Sequence, residues 1–188
     1  LKAHPRFPDQ EKRTSIKPLL TEVIKEVEHI SAEKNLPFPF YNIEIKSRPE
    51  WDGEYHPGSP MFYAQTVLDT LKKYLPYDRY TIQSFDPRIL ESLHTYDPNI
   101  QLVYLIEETK LEKDFFMQLE NKPAVISPDF SLLTEDLVKH YQSQGFKVIP
   151  WTVNEVNDMK RLMDWGVDGI ISDYPDRLIA TTLAYSGE

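Results

Sequence analysis

Tyr41-Asn42-Ile43-Glu44-Ile45-Lys46 is the stretch of this 188-residue chain from which the rest is read. Its β-branched and aromatic residues mark a strand, 41–46. Side chains in a strand alternate faces, so Ile43 and Ile45 point one way while Asn42, Glu44 and Lys46 line the other. Two opposite charges in an otherwise buried strand are costly. An unpaired buried carboxylate shifts its pKa and neutralises, so a Glu kept charged here calls for a metal ion or a cation beside it. Lys46 can be that cation, or it can hold an anionic substrate. Read without function, the same two charges are polar positions on the wet face of an edge strand, since structural ion pairs perturb pKa values too.

Outward from this strand the chain alternates. Upstream, Leu19, Leu20, Val23, Ile24, Val27 and Ile30 recur at helical spacing, and the run ends at Pro37 and Pro39. Downstream, a Gly/Pro-rich loop from Arg48 to Ser59 leads to a helix capped by Ser59 with Pro60 in its first turn. Strand 80–85, a helix after Asp86-Pro87, strand 100–106, a helical stretch near 111–119 and strand 124–127 follow. A helix capped by Thr134 stops at Gly145, strand 148–153 leads to a helix capped by Asn154 that stops at Gly166, and strand 169–172 precedes a helix opened by Pro175.

Strands alternating with helices mean a parallel sheet, and short runs of Val, Ile and Leu mean strands covered on both faces. There are six strand-helix units. A TIM (β/α)8 barrel averages about 30 residues per unit, so this chain holds about six of eight. An open doubly wound sheet needs no missing strands but brings no Gly-rich phosphate loop with it here. In a barrel the chemistry gathers at the C-terminal ends of the strands. Those ends are Glu44-Ile45-Lys46, Ser84-Phe85-Asp86, Ser127-Pro128-Asp129, Trp151-Thr152-Val153-Asn154 and Ser172-Asp173-Tyr174. They form a polar, acidic and aromatic rim, in which Asp86, Asn154 and Asp173 are each explained by helix capping alone.

Composition narrows the partners. With 40% hydrophobic residues the chain builds one sizeable core, and no linker divides residues 1–188, so a single partial barrel domain is expected. The net charge of -9, from 30 acidic and 21 basic residues without a Lys/Arg cluster, argues against nucleic acid. No apolar run reaches the ~18 residues of a membrane span. The absence of cysteine excludes disulfides and thiolate metal sites, and suits both a cytoplasmic and an exported protein. The start has neither a signal-peptide core nor an initiator Met, so a longer chain with a further N-terminal segment is expected.

Four motifs, NIEIK at 42–46, QSFD at 83–86, IPWTVN at 149–154 and GVDGIISDYPD at 166–176, resemble those of the glycerophosphodiester phosphodiesterases in order and spacing. The lead HPRFPDQ with the PLLTEVI helix resembles a branch of bacterial enzymes that are often exported. The resemblance runs from about His4 to Arg177. It implies a TIM barrel that uses a divalent cation, Ca2+ or Mg2+, to hydrolyse glycerophosphodiesters to glycerol 3-phosphate and an alcohol. It also implies that Glu44 is a metal ligand, Lys46 sits beside the phosphate, Trp151 walls the substrate pocket and Phe85 is an apolar wall on the glycerol side.

The departures are as specific. The family's His-Arg-Gly motif, its Glu-x-Asp metal pair and its second catalytic His are absent from these residues. Of the five histidines, His29, His94 and His140 fall in helices as surface groups, and His4 lies in the lead. His56, in the loop Gly53-Glu54-Tyr55-His56-Pro57 over the expected mouth, is a candidate substrate contact. One carboxylate falls short of the 6 to 8 oxygen donors Ca2+ takes or the octahedral shell of Mg2+, and the acid and base groups for the leaving alcohol are not supplied. The intact enzyme is the first reading, with these 188 residues alone inactive. A phosphodiesterase-like binding module without catalysis is the alternative, and a lyase with a Schiff base on Lys46 a third.

Overall fold

The computed structural model describes residues 4–8, 10–12, 14–107 and 121–187. They divide into two compact units, Leu1–Pro39 and Phe40–Glu188, and the sheet lies wholly in the second. The first unit contains α1 (Leu20–Glu33), whose opening turn is closed by the Glu22 carboxylate accepting the Leu19 N–H at 2.8 Å. That bond satisfies one of the donors a helix start leaves open.

In the second unit β1 (Tyr41–Glu44), β2 (Tyr80–Ser84), β3 (Leu102–Ile106), β4 (Val125–Pro128) and β5 (Lys147–Val148) form one sheet in sequence order, every neighbouring pair parallel. Between and after them run α2 (Pro60–Tyr74), α3 (Pro87–Tyr96), α4 (Glu135–Ser143), α5 (Val156–Asp164) and α6 (Pro175–Ser186). Ser59, Asp86 and Thr134 accept backbone N–H groups of Phe62, Arg88 and Leu137, and so start α2, α3 and α4 as the sequence predicts. Gly145 and Gly166 stand just past α4 and α5 with φ of +87° and +76°, the left-handed conformation in which a helix stops without side-chain strain. The expected helix near 111–119 lies outside the described residues.

Every residue of β2 is buried, as a central parallel strand requires. On one side α2 and α3 pack together through Leu68, Leu71, Ile89 and Leu93, all without exposed surface. A second cluster joins Ile106, Ile126 and Val148 of the sheet to Val138 and Tyr141 of α4 and Met159 and Leu162 of α5. Each such aliphatic side chain contributes about 1.5–3 kcal/mol relative to exposure.

Two expected strands differ in extent. Strand 148–153 is a regular ladder only at Lys147–Val148, although Ile149 and Trp151 continue to donate to Ile126 and Pro128 of β4. Residues 169–172 form no regular strand, yet Ile171 donates to the Pro150 carbonyl and accepts from the Val153 N–H, both at 2.9 Å. Those partners are three residues apart instead of the two of a regular parallel ladder, and the extra residue bends the segment. The two bonds hold Ile171 beside 150–153, with Trp151 and Thr152 between them.

Asp168 fastens this corner, because its carboxylate accepts the Val148 N–H and the Gln142 amide, each at 2.9 Å. Asp168→Ala should lower unfolding stability by about 1 kcal/mol, the net worth of such bonds, while Asp168→Asn retains most of it through its carbonyl oxygen. Urea unfolding with equal stability for the Ala variant and the parent would remove Asp168 from this role.

Candidate active site

Glu44 ends β1 and Lys46 follows two residues on, so both project from the same side of the chain at the C-terminal end of the sheet. The Lys46 ammonium donates to Glu44 Oε1 at 2.7 Å, with the lysine side chain 72% and the glutamate 24% exposed. An ion pair this open is worth about 0–1 kcal/mol, so a dianionic or monoanionic phosphate can compete for the lysine. Asn42 on the same face is tied down, its amide donating to Gln83 Oε1 at 2.8 Å while the Thr81 hydroxyl donates to its carbonyl at 3.0 Å. A hydrogen-bonded polar row thus leads along β1 and β2 to the charged pair.

Glu44 and Lys46 stand where two cavities meet. The larger, of about 230 Å³, continues past Gln83 and Phe85 to Leu105, Trp151, Thr152 and Ile171. The smaller, of about 90 Å³, shares Glu44, Lys46 and Phe85 and adds Ser47, Arg48 and Trp51. Trp151 is held by its indole N–H on the Ser127 carbonyl at 2.7 Å, and Phe85 meets it edge-on at 5.3 Å. That arrangement leaves a rigid aromatic corner facing the pair.

The chain after β1 is anchored from below. The Ser47 hydroxyl donates to Asp86 Oδ2 at 2.7 Å, and the Ser84 hydroxyl donates to the Ile45 carbonyl at 2.8 Å. Arg88 joins Asp86 and Asp52, its Nη2 and Nη1 each 2.7 Å from a carboxylate oxygen. Burial pushes the Asp86 carboxyl up, but the hydrogen bonds from Arg88 and Ser47 overcome it and hold the group below the usual carboxylate range. Asp52 is held low as well, chiefly by its bond to Arg88.

His56 does not line either cavity. Its side chain is 4% exposed, stacked on Tyr63, with Nδ1 3.0 Å from the Pro57 carbonyl and Nε2 accepting the Arg48 N–H at 3.1 Å. It closes the loop that carries Arg48 and Trp51. Two expected caps also have other partners: Asn154 accepts the Asp173 N–H at 3.0 Å and its amide donates to the Asp173 carboxylate at 3.0 Å, while Glu155 and Tyr174 stand at the N-cap positions of α5 and α6 without a side-chain cap bond. These bonds hold 172–174 beside the end of 148–153. Arg48, which lines the smaller cavity, and its partner Glu107, 2.8 Å away, are a pair the sequence does not signal, because nothing local links residues that far apart in the chain.

Glu44 brings one carboxylate to the rim, and among the described residues no three acidic or histidine side chains cluster so as to hold a metal ion. A cation taking six or more oxygens is therefore not provided for by these groups alone. No helix among the described residues is long and apolar enough to cross a membrane.

A parallel α/β sheet whose charged and aromatic groups collect at the strand C-termini has the layout of part of a (β/α)8 barrel. The family model described as glycerophosphoryl diester phosphodiesterase matches residues 3–177, and the chain belongs to that family. It is 37% identical over 98 residues to a glycerophosphodiester phosphodiesterase of Bacillus subtilis, covering 50% of this chain and 33% of that one. A second, from Caldanaerobacter subterraneus subsp. tengcongensis, is 30% identical over 138 residues, covering 73% of this chain and 53% of the relative. Against a candidate glycerophosphoryl diester phosphodiesterase of Silicibacter pomeroyi the TM-score is 0.77 at 26% identity, over 96% of this chain and 61% of that structure. An Oleispira antarctica phosphodiesterase, solved with the product sn-glycerol-3-phosphate, shares the fold with a TM-score of 0.65 at 20% identity, over 85% of this chain and 60% of its own. The sheet is thus part of a TIM-type barrel, and the chain spans about a third to a half of the curated relatives and about 60% of the solved ones.

The Asp86 network sets a pH dependence. A carboxyl whose folded pKa lies below its unfolded value adds stability that is complete above about 3.9 and is lost as pH falls through the folded pKa. Arg88→Met leaves Asp86 buried without its main partner and should cost about 2–3 kcal/mol at pH 7, less at pH 3. Equal losses at both pH values in urea unfolding would show that the charge pair is not the cause.

Proposed function

We propose that the intact protein hydrolyses glycerophosphodiesters to glycerol 3-phosphate and an alcohol, with Glu44 and Lys46 at the phosphate. The observation that carries this reading is their position at the junction of two cavities, in a chain matched along nearly its whole length by one phosphodiesterase family. A phosphodiester has two arms, and two compartments meeting at one cation suit it. The Oleispira antarctica relative, solved with sn-glycerol-3-phosphate, supports the product.

In this reading Lys46 turns from Glu44 to a phosphoryl oxygen and stabilises the charge that builds there as water attacks phosphorus and the bond to the alcohol oxygen breaks. The proton lost by water and the proton gained by the alcohol are handled by groups of a further N-terminal segment, which together with residues 1–188 completes one barrel domain. Trp151 and Phe85 form the apolar wall that excludes water. Glu44 would hold a divalent cation, Ca2+ or Mg2+, only together with further oxygen ligands from that segment. When bound, the cation would supply neutralisation of phosphate charge, which a protein part of net charge -9 does not offer by itself.

A second reading, a phosphodiesterase-like binding module, is favoured by the lack, among the described residues, of a cluster of three acidic or histidine side chains that could hold a metal ion. The two separate on turnover. A Schiff-base role for Lys46 is disfavoured by its setting, since the ammonium sits on a carboxylate in contact with solvent rather than in the dry pocket that activates such lysines.

The test is turnover of glycerophosphodiesters by the product of the complete reading frame. Exhaustive EDTA treatment, with metal content checked, should abolish hydrolysis, and activity retained in full would remove the metal role. Glu44→Gln should reduce kcat by at least about 100-fold with the fold unchanged, and Lys46→Met should act mainly on kcat with stability held or raised. A Lys46→Met protein that melts far earlier yet turns over normally per folded molecule would make Lys46 a structural ion-pair partner. Residues 1–188 made alone should be inactive and aggregate, because among the described residues β1 pairs on one side only and an open strand edge recruits other chains. Soluble monomer in sedimentation, hydrolysing glycerophosphocholine unaided, would contradict this.

A further inference from the structure

The smaller cavity is built differently from the larger one. Its outer wall is the loop after β1, where Arg48 lies over the Trp51 ring with the guanidinium carbon 5.3 Å from the ring centroid. The same guanidinium donates to Glu107 at 2.8 Å, both side chains about half exposed. Trp51 is itself partly exposed, and Tyr55 meets its ring edge-on at 6.2 Å. His56 fixes this loop by accepting the Arg48 N–H, and Arg88 fixes it through Asp52, so Arg48 and Trp51 stand on anchored backbone. Beside the Phe85 ring, the cavity therefore offers a phosphodiester arm the Trp51 face already covered by a cation, and the Arg48 guanidinium with its Glu107 partner.

Resting on the hydrolase reading above, we propose that this compartment receives the alcohol arm of the substrate and that Arg48 and Glu107 select uncharged, hydroxyl-rich alcohols over quaternary ammonium alcohols. The larger cavity, walled by Trp151 and Phe85, then holds the glycerol arm. A quaternary ammonium group binds best against a bare aromatic face, and here the Trp51 face carries Arg48, whose charge repels it, while the Phe85 ring is engaged edge-on with Trp151. A polyol meets the opposite situation. Arg48 carries five N–H donors and Glu107 takes one of them at this distance, while the Glu107 carboxylate accepts further hydroxyl groups. Sites that hydrogen-bond a substrate hydroxyl reject analogues lacking it, because their polar groups are then left unpaired.

The two residues predict opposite changes. Arg48→Gln uncovers Trp51 and removes the repelling charge, so it should shift preference toward the ammonium substrate. Glu107→Gln removes the anion that neutralises Arg48 and leaves Arg48 in place, so it should shift preference away from it.

The experiment measures kcat/KM of the intact protein for glycerophosphoinositol and glycerophosphocholine, in the parent, Arg48→Gln and Glu107→Gln. The parent should favour the inositol ester by about tenfold or more, a difference of the size one well-placed charged contact supplies. Arg48→Gln should reduce that ratio about tenfold, and Glu107→Gln should raise it. Partial unfolding lowers both rates together and cannot move the ratio in opposite directions. A parent ratio near one, or a ratio that neither variant changes while both esters are hydrolysed, overturns the subsite and leaves the hydrolase reading standing. Failure to hydrolyse either ester overturns both.

Discussion

The parallel pairing of β1 with β2, fastened at its C-terminal end by the buried Asp86 carboxylate, is the constraint on which the site depends. Asp86 takes the Ser47 hydroxyl, the start of α3 and the Arg88 guanidinium at once, and Arg88 passes the link to Asp52 in the following loop. Ser47 and Asp52 are thereby tied to the turn after β2 and the start of α3. A buried carboxylate costs several kcal/mol unless every lone pair is used, and this one is used as a hub. Lys46 and Arg48 flank Ser47 in sequence, so the hub sets where both cations stand without touching either.

The rim follows from that placement. The Glu44-Lys46 pair is held in position by backbone yet weakly held to itself, which is the combination a phosphate-binding lysine needs: a fixed location and a partner that yields. Beyond it the two cavities differ in chemistry. One is walled by Phe85 after β2 and by Trp151 on segment 150–153, the other by Arg48 and Trp51 of the loop after β1. In the first, Trp151 is fixed by its indole bond to the Ser127 carbonyl and by Phe85 edge-on against it.

Much of the scaffold was legible in the sequence because its signals are local. The caps Ser59, Asp86 and Thr134 and the stops Gly145 and Gly166 act within a few residues, and β1 to β4 fall where the runs of Ile, Val and Leu place them. What was missed depends on partners far along the chain. Asn154 and Asp173 read as caps, since that preference is real for Asn and Asp, but each found the other across 19 residues. His56 was correctly placed in the loop after β1, whereas its role on the Arg48 backbone could not be read from its neighbours. The Arg48-Glu107 pair, separated by 59 residues, left no periodic or motif signal.

The central claim is that Lys46 meets the phosphate while Glu44 stands beside it, and a crystal structure of the intact protein with sn-glycerol 3-phosphate tests it most directly. The account predicts a phosphate oxygen within about 3 Å of Lys46 Nζ, with the lysine drawn off Glu44 and the glycerol lying against Phe85 and Trp151. A phosphate bound elsewhere, with the Glu44-Lys46 pair still closed, would contradict it.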